Sequence, residues 1–310
     1  MNAEKIHRIL LSSRAPLFTI VFAFIAVRLY YMNNQWDNAI IWGSLLIQIG
    51  IAFFLLQLNH VFNIIQKHTF LPALFYLLFT GGNPIFYDDL KGSIAALCIV
   101  LCYYFLFSSY QNPKSQARAM NISILLVLGS LLWTPLLLFF PVVWIGFYHF
   151  QSFNGRVFFA SLTGFVIVYL FIFTWSLYQG DKNVFLSFLP QSDTLLVVQK
   201  PDLTVAEWIT CGFLFINYLI IGINLYFFNI SEKRWVVSIL SYLFISSFIV
   251  FIFFFLQSEY KSSWGLVIYI PIAFLTGHFF SRTNNRGIYY LLLLFLLFFI
   301  GIGIVHYAGS

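Results

Sequence analysis

Four charged residues stand where an otherwise apolar chain has least reason to keep them. Arg28 interrupts a long apolar run, Asp37 follows that run, and Asp88 and Asp89 sit side by side after a later one. Carboxylates that converge at a membrane face suit a divalent cation, which takes oxygen ligands, so Asp88 and Asp89 are candidate metal ligands. A single carboxylate such as Asp37 suits a general base toward an acceptor hydroxyl, which makes it the candidate catalytic residue. A guanidinium among apolar residues is costly to keep, and its planar donors suit a phosphate, either a lipid headgroup or a lipid-linked phosphate. Arg28, Asp88 and Asp89 are therefore the candidate substrate-binding residues. Each also has a simpler use. Arg28 could snorkel to the headgroups, Asp37 could be a solvated turn residue, and the Asp88–Asp89 pair could cap the helix that follows it.

The elements that must position these residues follow from composition. The chain has 310 residues, of which 61% are hydrophobic and 8% charged. A water-soluble domain keeps about a quarter of its residues charged. Apolar runs recur from end to end, each long enough to cross a hydrocarbon core of about 30 Å. The runs are apolar on all faces, unlike the alternating pattern of barrel strands, and only helices satisfy their own backbone in lipid. Spans are expected at about 15–32, 39–58, 70–87, 92–109, 157–178, 208–229, 235–257, 265–280 and 287–305, and Gly81-Gly82-Asn83-Pro84 should break the helix at the end of the third. Residues 121–150 are too short for two spans and a turn, and rather long for one, and Pro135 and Pro141 interrupt them. They read either as one kinked span or as two short helices that enter and leave on the same side, turning near Thr134-Pro135.

Charge decides between these readings. Basic residues resist translocation and so mark the cytoplasmic side. With a cytoplasmic N-terminus and a re-entrant 121–150, the inner side holds eleven basic residues, from Lys5 to Arg286, and the outer side four: Lys91, Lys182, Lys200 and Lys261. The acids divide the other way, with only Glu4 and Glu232 inside. The expected fold is thus all-α, a polytopic transmembrane helix bundle of about ten full spans plus one Pro-broken re-entrant helix pair, with the N-terminus cytoplasmic. Residues 1–14 form a basic amphipathic segment, and residues 15–310 a single transmembrane domain with a long outer loop at 179–207.

Several function classes fall away. The net charge of +6 is explained by the inner loops and gives no reason to expect nucleic acid. Cys98, Cys102 and Cys211 all fall within spans and form neither a disulfide framework nor a zinc pattern. There is no nucleotide-binding glycine loop, no HExxH and no nucleophile elbow. Polar residues within spans, Gln48, Gln57, Asn217 and Asn224, suit hydrogen bonds between helices, and His278 reads as an interfacial group near the cytoplasmic end of its span.

The N-terminal half resembles the GT-C class of integral-membrane glycosyltransferases. The resemblance rests on Asp37 after the first span, on Asn59 and Lys67 before Leu71-Pro72, on the Asp88–Asp89 pair, and on the Pro-broken hairpin Leu131–Pro135 before Arg156. It implies a bacterial inner-membrane envelope protein that uses a polyprenyl-phosphate-linked sugar at the outer face. By the resemblance, Asp37 assists the acceptor or a metal, and Asp88 or Asp89 is a further outer-loop acid; the cofactor stays open, a divalent cation being the one these carboxylates would suit. The first outer loop is shorter than the class usually has, and the C-terminal soluble domain of the class is missing from the pattern. A non-catalytic membrane subunit or scaffold, binding membrane lipid or a membrane-protein partner, is the rival, and a lipid or small-molecule transporter a third reading.

Overall fold

The computed structural model describes residues 21–22, 24–26, 28, 38–65, 69–180, 185, 188–189, 203–228, 233–282, 294–295, 297–299 and 301–302. Asp37, Lys67, the segment 1–14 and most of the 179–207 loop lie outside the described residues. Every described element is helical: α1 (Ala39–Phe62), α2 (Leu71–Gly81), a 3-10 turn (Pro84–Phe86), α3 (Leu90–Ser108), α4 (Gln116–Ser130), a 3-10 turn (Thr134–Leu138), α5 (Phe139–His149), α6 (Gly155–Gln179), α7 (Val205–Phe228), α8 (Arg234–Leu256), a 3-10 turn (Ser258–Tyr260) and α9 (Lys261–Arg282). Among the described residues, six of these helices, α1, α3 and α6 to α9, are long and apolar enough to cross a membrane, which marks the chain as a multi-pass membrane protein.

Local sequence explains where the helices begin and end. Asn38 accepts from the Ile40 amide at 3.0 Å and so caps α1. Asn154 does the same for α6 through the Val157 amide at 2.9 Å. α2 carries Pro72 in its first turn, where a missing amide costs nothing. The 70–87 run is not one continuous helix. Its α-helical part is 11 residues, about 16 Å at 1.5 Å per residue. Proline at 84 disfavours helical backbone at the residue before it, and Asn83 is extended at φ −135°, ψ 117°. Asn83 then accepts from the Ile85 amide at 3.1 Å, and the Tyr87 hydroxyl donates back to the Gly81 carbonyl at 2.7 Å. The apolar Ile85, Phe86 and Tyr87 therefore prolong the apolar run without prolonging the helix.

The contacts divide the chain into two compact units, residues 1–93 with 200–310, and residues 94–199. In the first unit α9 packs against α2, α8 and α7, and α1 packs on α2. Residues 263–281 of α9 are buried without a break. Lipid tails are as apolar as the side chains, so shape rather than hydrophobicity must select these contacts. Phenylalanine supplies the shape: Phe75 and Phe280 stack at 5.5 Å, and Phe295 meets Phe75 edge-on at 5.5 Å. Asn217 donates to Thr276 at 3.3 Å, the interhelical use its position suggested.

In the second unit α4 packs along α6, with Val127 buried among Val168, Tyr169 and Ile172. α5 runs back along α6, since Phe140 meets Phe165 and Trp144 meets Phe158, with the Trp144 indole donating to Ser161 at 3.2 Å. The stretch 121–150 is thus two short helices joined at Thr134–Leu138. Its two ends lie together: the Gln111 amide donates to the Phe150 carbonyl at 2.9 Å, and Asn154 Nδ2 donates to the Pro113 carbonyl at 2.9 Å.

Candidate functional site

The residues of interest gather in the first unit, around the turn that joins α2 to α3. The turn offers the Phe86 carbonyl as a shared acceptor. Arg28 Nη2 donates to it at 3.1 Å, and Gln48 Nε2 from α1 donates to it at 3.0 Å. Gln48 spends its other amide proton on Ser93 Oγ at 3.1 Å. Ser93 Oγ in turn donates to the Asp89 carbonyl at 2.8 Å, and Ser44 donates to the Tyr87 carbonyl. The Arg28 guanidinium lies 4.3 Å from the centre of the Tyr87 ring and 5.5 Å from that of Phe24, both within cation–π range.

Arg28 is fully enclosed, with 0% of its surface exposed. Its Nε and Nη1 have no hydrogen-bond partner among the described residues, nor do Gln48 Oε1 and the Tyr76 hydroxyl. Tyr76 and Asp88 are close enough to interact electrostatically with the guanidinium. A buried cation with unpartnered donors has given up water without full replacement, an arrangement that suits an anionic ligand.

The acidic pair is divided by its surroundings. Asp88 is exposed. Asp89 is the cap of α3: Oδ1 accepts from the Gly92 amide at 2.7 Å, and its carbonyl accepts from the Ser93 amide at 3.1 Å. Its other oxygen, Oδ2, accepts from Ser262 at 2.8 Å and from Ser263 at 2.6 Å, so one carboxylate joins the starts of α3 and α9. The helices approach so closely there that a Cβ on Gly92 would lie 2.7 Å from the Ser263 Cα. With both carboxylate oxygens occupied by donors, Asp89 has a structural task, and Asp88 is the member of the pair that stays open to a ligand.

A second acid holds the same turn of α9. Glu207 and Thr204 form a reciprocal cap on α7, in which Glu207 Oε2 accepts from the Thr204 amide at 2.7 Å and the Glu207 amide donates to Thr204 Oγ1 at 3.4 Å. Oε2 also takes the Lys261 ammonium at 3.1 Å. A lysine at a helix start opposes the helix dipole, and Glu207 offsets it. Beside this pair, Asn83, Phe86, Thr210 and Tyr269 help enclose a cavity of ≈ 20 Å³, about the room one water needs. A Cβ on Gly265 would lie 2.7 Å from the Phe86 ring, so glycine there lets that ring seat against α9.

The geometry therefore brings Arg28 together with the Asp88–Asp89 turn, while Asp37 lies outside the described residues. Among the described residues, no three His, Cys, Asp or Glu side chains gather to hold a metal ion. Nothing in residue type or spacing singles out Tyr76, Ser262, Ser263 or Lys261 for these contacts. The Thr204–Glu207 spacing is a local signal, and it could have found Glu207. Compared with protein-family models, with curated proteins and with solved structures, the chain has no match.

Proposed function

We propose that this chain is a multi-pass protein of the bacterial inner membrane that acts at the outer face on a polyprenyl-phosphate-linked sugar, in the manner of a GT-C glycosyltransferase. In this reading the N-terminus is cytoplasmic, about ten spans cross the bilayer, and α4 with α5 is the re-entrant pair. Arg28 holds the phosphate, Asp37 serves the acceptor, and Asp88 contributes an acceptor or divalent-cation ligand, with Asp89 holding the turn beneath them. The observation that carries the reading is the shared carbonyl of Phe86, which seats a buried guanidinium beside the turn that bears the acidic pair. The hydrogen bonds tying 111 to 150 and 113 to 154 support a hairpin that returns to the side it left. The test replaces Asp37 and Asp88 by asparagine and measures envelope glycan at matched protein level. Loss of a glycan is the expected result; unchanged glycan sinks the transferase reading.

A second reading, a non-catalytic membrane subunit, is favoured by one observation. Asp89 and Glu207 are both spent on holding α9, as structural acids are. This reading expects the double variant to keep its glycan and to lose a membrane partner on gentle extraction.

A further inference from the structure

We propose that Arg28 and Tyr76 form a phosphoryl-binding subsite inside the first unit, with Gln48 as its positioning residue. The proposal rests on the reading above, since it names the part of that substrate the subsite receives. Three observations carry it. Arg28, Gln48 and Tyr76 are each fully buried. Each keeps a polar atom without a partner among the described residues: Nε and Nη1 of Arg28, Oε1 of Gln48 and the hydroxyl of Tyr76. The lone ion pair among the described residues is Lys261–Glu207, so no described carboxylate lies in ion-pair contact with Arg28, and Asp88 reaches it only at longer range.

Such groups are costly to leave unsatisfied in a low-dielectric interior, and their cost falls when an acceptor fills them. A phosphoryl group carries several anionic oxygens, so it can accept from the guanidinium and from the phenol together, which a halide sphere does less well. Gln48 acts through others. It shares the Phe86 carbonyl with Arg28 and ties that carbonyl to Ser93, which fixes where the guanidinium points. The Tyr87 and Phe24 rings flank the guanidinium. Both rings are themselves buried and so shield it from water.

The experiment uses the full chain in a phosphate-free detergent and follows thermal unfolding with added inorganic phosphate or polyprenyl monophosphate. Either compound is expected to raise the melting temperature. A rise with both assigns the phosphoryl group alone, and a rise with the polyprenyl compound only assigns the lipid-borne source. Tyr76→Phe is expected to weaken binding about 10-fold, the worth of one hydrogen bond to a charged group, with the ligand-free melting temperature unchanged. Arg28→Gln is expected to abolish binding, and Tyr76→Phe keeps the test open should that variant fold poorly. No rise with either compound, or wild-type affinity in Tyr76→Phe, overturns the subsite; a carboxylate of this chain filling the Arg28 donors gives the same pattern. Binding lost in Tyr76→Phe while glycan persists in the Asp37 and Asp88 variants keeps the subsite and removes the transferase reading; the reverse pattern does the opposite.

Discussion

Asp89 and Arg28 lie at opposite ends of one hydrogen-bonded path, which reaches Asp89 at its backbone carbonyl, and their charged groups are treated in opposite ways. The path runs from Arg28 to the Phe86 carbonyl, through Gln48 to Ser93, and on to Asp89. At one end Asp89 accepts from an amide and two hydroxyls, and both its oxygens are used. At the other, two guanidinium nitrogens and the neighbouring phenol have no partner among the described residues. A satisfied charge at a helix start is how a fold secures a joint. An unsatisfied one, enclosed by the same fold, is where a ligand has something to gain. The contrast teaches that charge alone does not distinguish a joint from a candidate site in this chain, whereas unfilled donors do.

Stability measurements can break that contrast. Asp89→Ala removes three accepted hydrogen bonds and uncouples the starts of α3 and α9. It is expected to cost about 3 kcal/mol in reversible unfolding of the purified chain. A loss no larger than that of a surface substitution would end the claim that Asp89 is a joint. Glu207→Gln keeps the cap on α7 in part but weakens the pair with the partly exposed Lys261. Its expected cost is about 1 kcal/mol, falling further as salt is raised. Tyr76→Phe deletes a buried hydroxyl that has no described partner, so the ligand-free protein should change by less than about 0.5 kcal/mol, or gain slightly. A loss on the scale of Asp89→Ala would show that the Tyr76 hydroxyl is as well satisfied as the carboxylate, and the comparison would collapse.

What the sequence makes legible is what accumulates along a run. The boundaries of α6, 155–179 against an expected 157–178, come from more than twenty apolar residues that all say the same thing. The break at 121–150 was also readable, because Pro135 and Pro141 interrupt it and arginines flank it. The end of α2 is equally legible, because Gly81-Gly82-Asn83-Pro84 is a helix-breaking run and the helix stops at Gly81. The site was legible only as far as its charges. That Asp89 could cap a helix follows from its neighbours in sequence, but Ser262 and Ser263 are 173 and 174 positions away. Gln48 read as an ordinary polar residue in a span, and Tyr76 as one aromatic among many, because enclosure is a property of the folded unit and leaves no local trace.

The unbroken burial of α9 bears on how the protein is made. Among the six long helices it is the least apolar, and it is the one whose residues 263–281 meet only protein. A segment of that kind gains little from lipid by itself and depends on neighbours to hold it in the membrane. α2 and α8, its main neighbours, both leave the ribosome earlier. Membrane integration of α9 should therefore be conditional: a nascent chain lacking α2 should release α9 to glycosylation or protease, while the intact chain retains it. The same helix that closes the bundle would then serve as the checkpoint for whether the earlier helices have assembled.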